Sequence, residues 1–239
     1  MCGTASNNKP RKAVEERFKA NFAVNVNWEP IRLAKAFAND VLPVITNDAS
    51  HSIQMFEWGL IPSFAKNIAD AQKLRTQTIN CRTETIFEKV SFKYAAQHQR
   101  CLVLLDGFVE YQHTGNTKQP YYITLKTGEL FAVAGLYNTW LNAATGEYKN
   151  TFSIATVPAN PLMARIHNSK ERMPLILTPE TEQQWLNAKD TEEIKALFTS
   201  LDEATMHAHP ITADIGKRDF VPHKQMYDPI TIVQQGSLF

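Results

Sequence analysis

Apolar residues recur at every fourth position in RKAVEERFKANF, at Val14, Phe18 and Phe22, and at a three-then-four spacing in TETIFEKVSFKYAAQ, at Phe87, Val90 and Tyr94. Either spacing lines one face of a helix, so the pattern predicts amphipathic helices over 11–22 and 83–97. The middle of the chain changes period. SIQMFEWGL, CLVLLDGFVEY, PYYITLK, LFAVAGLYNTW and TFSIATV are short, rich in β-branched and aromatic residues, and punctuated by Gly, Asn and Pro. They read as strands, mostly antiparallel, with HTGNTKQ and LNAATGEYKN as hairpin loops. PETEQQWLNA and TEEIKALFTS add two late helices whose Pro and Thr starts suit a first turn. The fold class is therefore α+β. No repeat, low-complexity run or linker divides residues 1–239, so one domain is expected, with MYDPITIVQQGSLF, after about residue 225, as a loose C-terminal tail.

Composition narrows the function classes. The chain is 44% apolar and 21% charged, an ordinary globular balance, and its net charge of +1 leaves any basic surface to a local patch. No leader and no bilayer-length apolar run is legible, which points to a cytoplasmic protein with no membrane partner. Three cysteines, Cys2, Cys81 and Cys101, give an odd count without paired spacing. Reduced thiols are expected, with no disulfide framework, no metal site and no cofactor.

Cys101 lies in an apolar run, as a structural cysteine would, but Cys2 in MCGTAS stands at the chain end. Removal of Met1 would leave an α-amine with a pKa of about 7.7–8.0 beside a thiol near about 8.5, both partly deprotonated at neutral pH. Such a pair traps aldehydes: the amine forms an imine and the thiol closes on it to give a five-membered thiazolidine. The same residue could instead transfer acyl groups, with the thiol as nucleophile and the amine as its base. Position alone does not choose between these and a cysteine of no consequence.

Three further stretches carry candidate chemistry. TINCRTET sets Asn80, Arg82 and Glu84 at alternate positions, so an extended segment would turn all three to one side, as a site wall or as a solvated edge. LLDGFVEYQ runs from an apolar strand into Asp106 and Glu110, either of which could be an acid/base with a raised pKa or a turn carboxylate. MARIHNSKERMPLIL carries one histidine, His167, ahead of Lys170 and Arg172; it is either a proton-transfer group or a satisfied structural residue.

Taken in order, MCG, FEWGLIPSF, NCRTET, RCLVLLDGFVEY, KQPYYI, FAVAGLY, IATVPAN, IHNSKERMPLIL and the His209–Pro210 pair resemble the SRAP (SOS response-associated peptidase) family over residues 2 to about 211. The resemblance implies an antiparallel, barrel-like sheet flanked by helices. It implies a protein that links the amine and thiol of its mature N-terminal cysteine to the ring-opened aldehyde of an abasic site in single-stranded DNA. Cys2 would be the nucleophile, Asn80 a positioning group, Glu110 the acid/base and His167 a second proton-transfer residue. Arg82 and Arg172 match phosphate-holding positions, and Thr156 a further DNA contact. Trp58 and Phe64 would stack on bases, unless they are core residues. A monomer is expected, with modest, salt-sensitive affinity for DNA.

Departures qualify the match. Thr4 stands where the family usually has Arg, a loss that Lys9, Arg11 and Lys12 would have to offset. AFANDVLPVI only roughly follows the usual Tyr-Asn-x-x-Pro segment, Tyr111 replaces a common Trp, and a longer loop separates His167 from Arg172. The rival functions are a thiol peptidase using Cys2 and a passive single-stranded DNA-binding module, with β-lyase strand cleavage as a side activity of the imine.

Overall fold

The computed structural model describes residues 2–217 and 219–232. The chain opens with β1 (Thr4–Asn7), helix α1 (Arg11–Phe18), the short β2 (Asn21–Phe22), β3 (Ile31–Lys35), β4 (Val41–Thr46) and β5 (Ser52–Trp58). Helix α2 (Ile68–Arg75), β6 (Asn80–Arg82) and α3 (Val90–His98) lead to β7 (Arg100–Leu105), β8 (Gly107–Thr114), β9 (Thr117–Leu125), β10 (Phe131–Asn142) and β11 (Glu147–Pro158). Then follow α4 (Pro161–Ile166), β12 (Arg172–Pro174), β13 (Ile176–Leu177), α5 (Pro179–Asn187), α6 (Thr191–Ala196) and β14 (Met206–Pro210).

Strands β11, β10, β7, β4 and β5 pair in that order, and a parallel pairing of β5 with β11 closes them into a five-stranded barrel. A second sheet runs β14-β9-β8-β1-β3. The two are joined at Asp106, which divides the expected single strand CLVLLDGFVEY into β7, wholly buried in the barrel, and β8, in the second sheet. Gly107 lies at that bend because a Cβ there would meet the Tyr122 hydroxyl at 2.2 Å. Both expected hairpins form. The tighter one turns through Gly115, whose φ of 57° is the left-handed conformation that a two-residue hairpin turn needs.

The aromatic core contains Trp58, Phe108, Phe131, Phe152 and Trp185. Arg100 is buried; it donates to the carbonyls of Ala96, Gln97, Trp185, Leu186 and Ala188 and so ties together the C-terminal ends of α3 and α5.

Three expectations on the elements are corrected. The first helix stops at Phe18, with Lys19 at φ 51°, and Phe22 is instead a buried strand residue stacked on Trp28. Its spacing fitted a helix because the chain folds back after Lys19 and buries Phe22 from the next element. The second helix begins only at Val90, and its buried residues are Phe92, Ala95 and Ala96, whereas Val90 and Tyr94 are 76% and 63% exposed. The start of the expected tail is docked: Met226 is buried, Tyr227 stacks on Tyr122 at 3.8 Å and donates to the Arg32 carbonyl at 2.6 Å, and the Ile230 amide bonds to the Pro210 carbonyl. The part of the expected tail at 233–239 lies outside the described residues.

Candidate active site

Cys2 precedes β1, a strand held between β3 and β8. Ala5 pairs with Phe108 and Ser6 with Gly107, and the same antiparallel register carried toward the N-terminus brings residue 3 alongside Glu110 and residue 2 alongside Tyr111. Asp106 fixes that register. Its carboxylate accepts from the Ser6 hydroxyl at 2.6 Å and from the Asn8 amide at 3.0 Å, so of the two carboxylates in LLDGFVEYQ this one is the turn carboxylate.

The Cys2 carbonyl accepts a 2.8 Å hydrogen bond from Nδ2 of Asn80. Asn80 is delivered by β6, which pairs parallel to β11 with Asn80 opposite Ile154 and Arg82 opposite Thr156. Cys2 is 1% exposed, and its thiol points to the Thr4 carbonyl at 3.8 Å. Burial pushes the thiol pKa well up, and the nearby Glu110 carboxylate adds to the rise.

Glu110 on β8 and His167 at the C-terminal end of α4 are both buried, with Nε2 of His167 4.0 Å from Oε2 of Glu110. Nδ1 of His167 lies 2.8 Å from the Arg172 carbonyl. The longer loop after His167 thus does not carry Arg172 away. Asn168 exchanges two hydrogen bonds with the His113 backbone, and the chain turns back through Glu171 at φ 49°. Glu110 and His167 open onto a groove of about 670 Å³ whose walls include Tyr111, Lys118 and Lys170. An adjoining groove of about 570 Å³ shares Tyr111 and runs past Gly3, Thr4, Lys35 and Phe37.

The structure brings Cys2, Asn80, Glu110 and His167 into one region but divides the expected DNA-contacting residues. Arg82 is exposed. Arg172 is 7% exposed and its guanidinium is turned inward onto Glu84 and Thr156. Thr156 is buried, with its hydroxyl bonded to the Cys81 carbonyl. Trp58 is a core residue, corrected from the stacking role: it is fully buried, packed on Phe152, with its indole N–H on the Ile79 carbonyl. Phe64 is exposed, but its loop packs on Trp140 and Asn138, and it lines neither groove.

The basic run near the N-terminus does not replace the arginine missing at Thr4. Lys9 donates to the Gly128 carbonyl and Arg11 to Glu15 and the Val26 carbonyl, beyond the end of β1 opposite to Cys2. The cations beside Thr4 are instead Lys35, its partner in the strand register, and Lys217. Sequence reasoning missed Lys35, Phe37 and Lys118, and named Lys170 beside His167 without giving it a role. Lys118 had a local signal in its place opposite His113 across the tight hairpin; Lys35 and Phe37 are joined to the site only by tertiary contacts. Among the described residues, no three His, Cys, Asp or Glu side chains group as a metal-ligand set, and no helix is long and apolar enough to cross a membrane.

A model of the SOS response associated peptidase (SRAP) family matches residues 1–218. The chain is 36% identical over 179 residues to the abasic site processing protein YoqW of Bacillus subtilis, covering 74% of this chain and 76% of that one. It is 36% identical over 180 residues to the abasic site processing protein HMCES of Mus musculus, covering 63% of this chain and 50% of the relative. A crystal structure of a protein from Bacteroides thetaiotaomicron superposes with a TM-score of 0.87 at 35% identity, over 96% of this chain and 100% of that one.

Proposed function

The chain belongs to the SOS response associated peptidase (SRAP) family, and we propose that it processes abasic sites by trapping them, as a cytoplasmic monomer, in single-stranded DNA through a thiazolidine on Cys2. Relatives named as abasic site processing proteins support the lesion as target. The observation that carries the chemistry is the anchoring of Cys2 near Glu110 through its carbonyl on Asn80, a hold that uses neither of the two groups that react.

Once Met1 is removed, the steps balance without a cofactor. The sugar opens as the C1–O4 bond breaks and a proton moves to O4, giving an aldehyde at C1. The Cys2 amine adds to C1 and water leaves, forming an imine. The thiol then adds to the same carbon, its proton passing to the nitrogen, so the net loss is one water. Glu110 is the group that moves protons at O4 and at the departing water, and His167, whose Nε2 lies 4.0 Å from the carboxylate, exchanges protons with it through one bridging water. Arg82, exposed at the end of β6, holds a flanking phosphate, while Tyr111 between the two grooves supports a base. The Glu110 carboxylate near the thiol suits ring closure assisted by a base.

Denaturing gels of the protein mixed with an abasic or an intact single strand test this reading. A shifted band is expected with the abasic strand alone, absent in Cys2→Ala and formed roughly a hundredfold more slowly in Glu110→Gln. A protein that retains both strands equally, and only before denaturation, would be a passive binder.

A further inference from the structure

Glu84 and Arg172 form an ion pair that the trapping steps do not themselves use. Both terminal nitrogens of the guanidinium donate to the Glu84 carboxylate, Nη2 to Oε2 at 2.9 Å, and Nη2 also reaches the carbonyl and the hydroxyl of Thr156. The guanidinium is buried, and Glu84 is half-exposed. Partial burial works against ionisation of Glu84, but the hydrogen bonds and charge of Arg172 outweigh it and hold the carboxyl below its ordinary range.

This pair joins two arms of the site. Glu84 sits in the 3₁₀ turn Thr83–Thr85 directly after β6, and β6 carries the Asn80 that holds Cys2. Arg172 opens β12, and its own carbonyl lies 2.8 Å from Nδ1 of His167. A carbonyl can only accept, so Nδ1 bears the hydrogen and Nε2 is the ring nitrogen directed at Glu110. The Arg172 amide is also near Nδ1, at 3.3 Å, and would become the better partner if the hydrogen moved to Nε2. The tautomer of His167 is therefore set by where the Arg172 backbone sits. That backbone follows Glu171 at φ 49°, a conformation unfavourable for a residue with a Cβ, so the turn must be held from outside. Backbone bonds hold part of it, from the Ala159 amide to the Glu171 carbonyl and through the pairing of Arg172 with Pro158, and the side chain of Arg172, gripped by Glu84, is the hold on the far side of the strand.

We propose that Glu84 is a positioning residue for His167: through Arg172 it fixes the peptide that selects the imidazole tautomer, and it ties the arm that carries Cys2 to the arm that carries the proton-transfer group. The role rests on reading His167 as that group, and it gives Arg172 a task other than phosphate binding.

Nitrogen-15 NMR of the imidazoles in the full chain without DNA reads the tautomer directly, with His167→Gln identifying its signals among the seven histidines. The wild-type protein is expected to hold the hydrogen on Nδ1, Glu84→Gln to give a mixture of tautomers, and Glu84→Asp to recover part of the wild-type signal. An unchanged tautomer in Glu84→Gln overturns the proposal whether or not the protein crosslinks DNA; should that variant not fold, Arg172→Lys, which keeps the charge but loses the two-pronged grip on Glu84, is expected to give the same mixture, and an unchanged tautomer there overturns the proposal too. At saturating abasic strand, Glu84→Gln is expected to trap roughly tenfold to a hundredfold more slowly with a shifted pH–rate profile, and to bind an intact strand no more weakly. An unchanged saturating rate with weakened binding of the intact strand would assign the pair to phosphate and overturn the proposal. Absence of any crosslink in the wild-type protein counts against the function and leaves the NMR result standing.

Discussion

The Asn80 amide and the Cys2 carbonyl make a hydrogen bond in a dry setting, since both residues are buried. In the mature protein that bond would be the nearest fixed point to the reacting amine, because the carbonyl and the amine share one Cα. Asn80→Ala should therefore slow trapping about tenfold at saturating DNA, the rate equivalent of one net hydrogen bond of roughly 1–1.5 kcal/mol, while the affinity for an intact strand stays the same. Equal loss in rate and affinity would assign Asn80 to the DNA instead. Individual residues were legible in the sequence where chemistry is unusual for the position. A cysteine at residue 2 and a carboxylate five residues beyond an apolar run both stood out as candidates, though the residues alone left the role of each open. Arg172 and Thr156 did not, because a sequence motif gives a residue type and leaves open which way its side chain turns; here Glu84 turns the guanidinium inward.

At the scale of elements, α3 shows how a spacing can be right for a helix and wrong for its buried face. Phe87, Val90 and Tyr94 share a stripe only if the helix runs through all three, yet it starts at Val90 after the Thr83–Thr85 turn and buries Phe92, Ala95 and Ala96. Phe92→Ala should cost about 3–5 kcal/mol and lower Tm by roughly 10 °C, whereas Val90→Ser and Tyr94→Ser should each stay within about 0.5 kcal/mol, as thermal or urea unfolding would measure. Greater losses at Val90 or Tyr94 than at Phe92 would restore the stripe read from the sequence. The late helices and both hairpins were legible because their start and turn residues act locally. The division of CLVLLDGFVEY was not, since the bend at Asp106 is held by Ser6 and Asn8, residues distant in sequence.

Across the whole molecule, the site exists because two sheets share one bend. β1 brings Cys2 to β8 and Glu110, the parallel pairing of β6 on the barrel strand β11 brings Asn80, and α4 ends at His167. Barrel closure through β5 and β11 joins segments about a hundred residues apart, which local patterning does not encode; only the resemblance to a family implied it. The near-neutral net charge likewise hid a groove that carries Lys118 and Lys170 beside the buried Glu110 and His167. The intact mass of the purified protein before and after incubation with a single strand bearing one abasic site bears on the central claim most directly. Trapping through Cys2 requires a chain without Met1 that gains the mass of the oligonucleotide less one water, with no gain from the intact strand. A chain without Met1 that gains no mass from the abasic strand would contradict it.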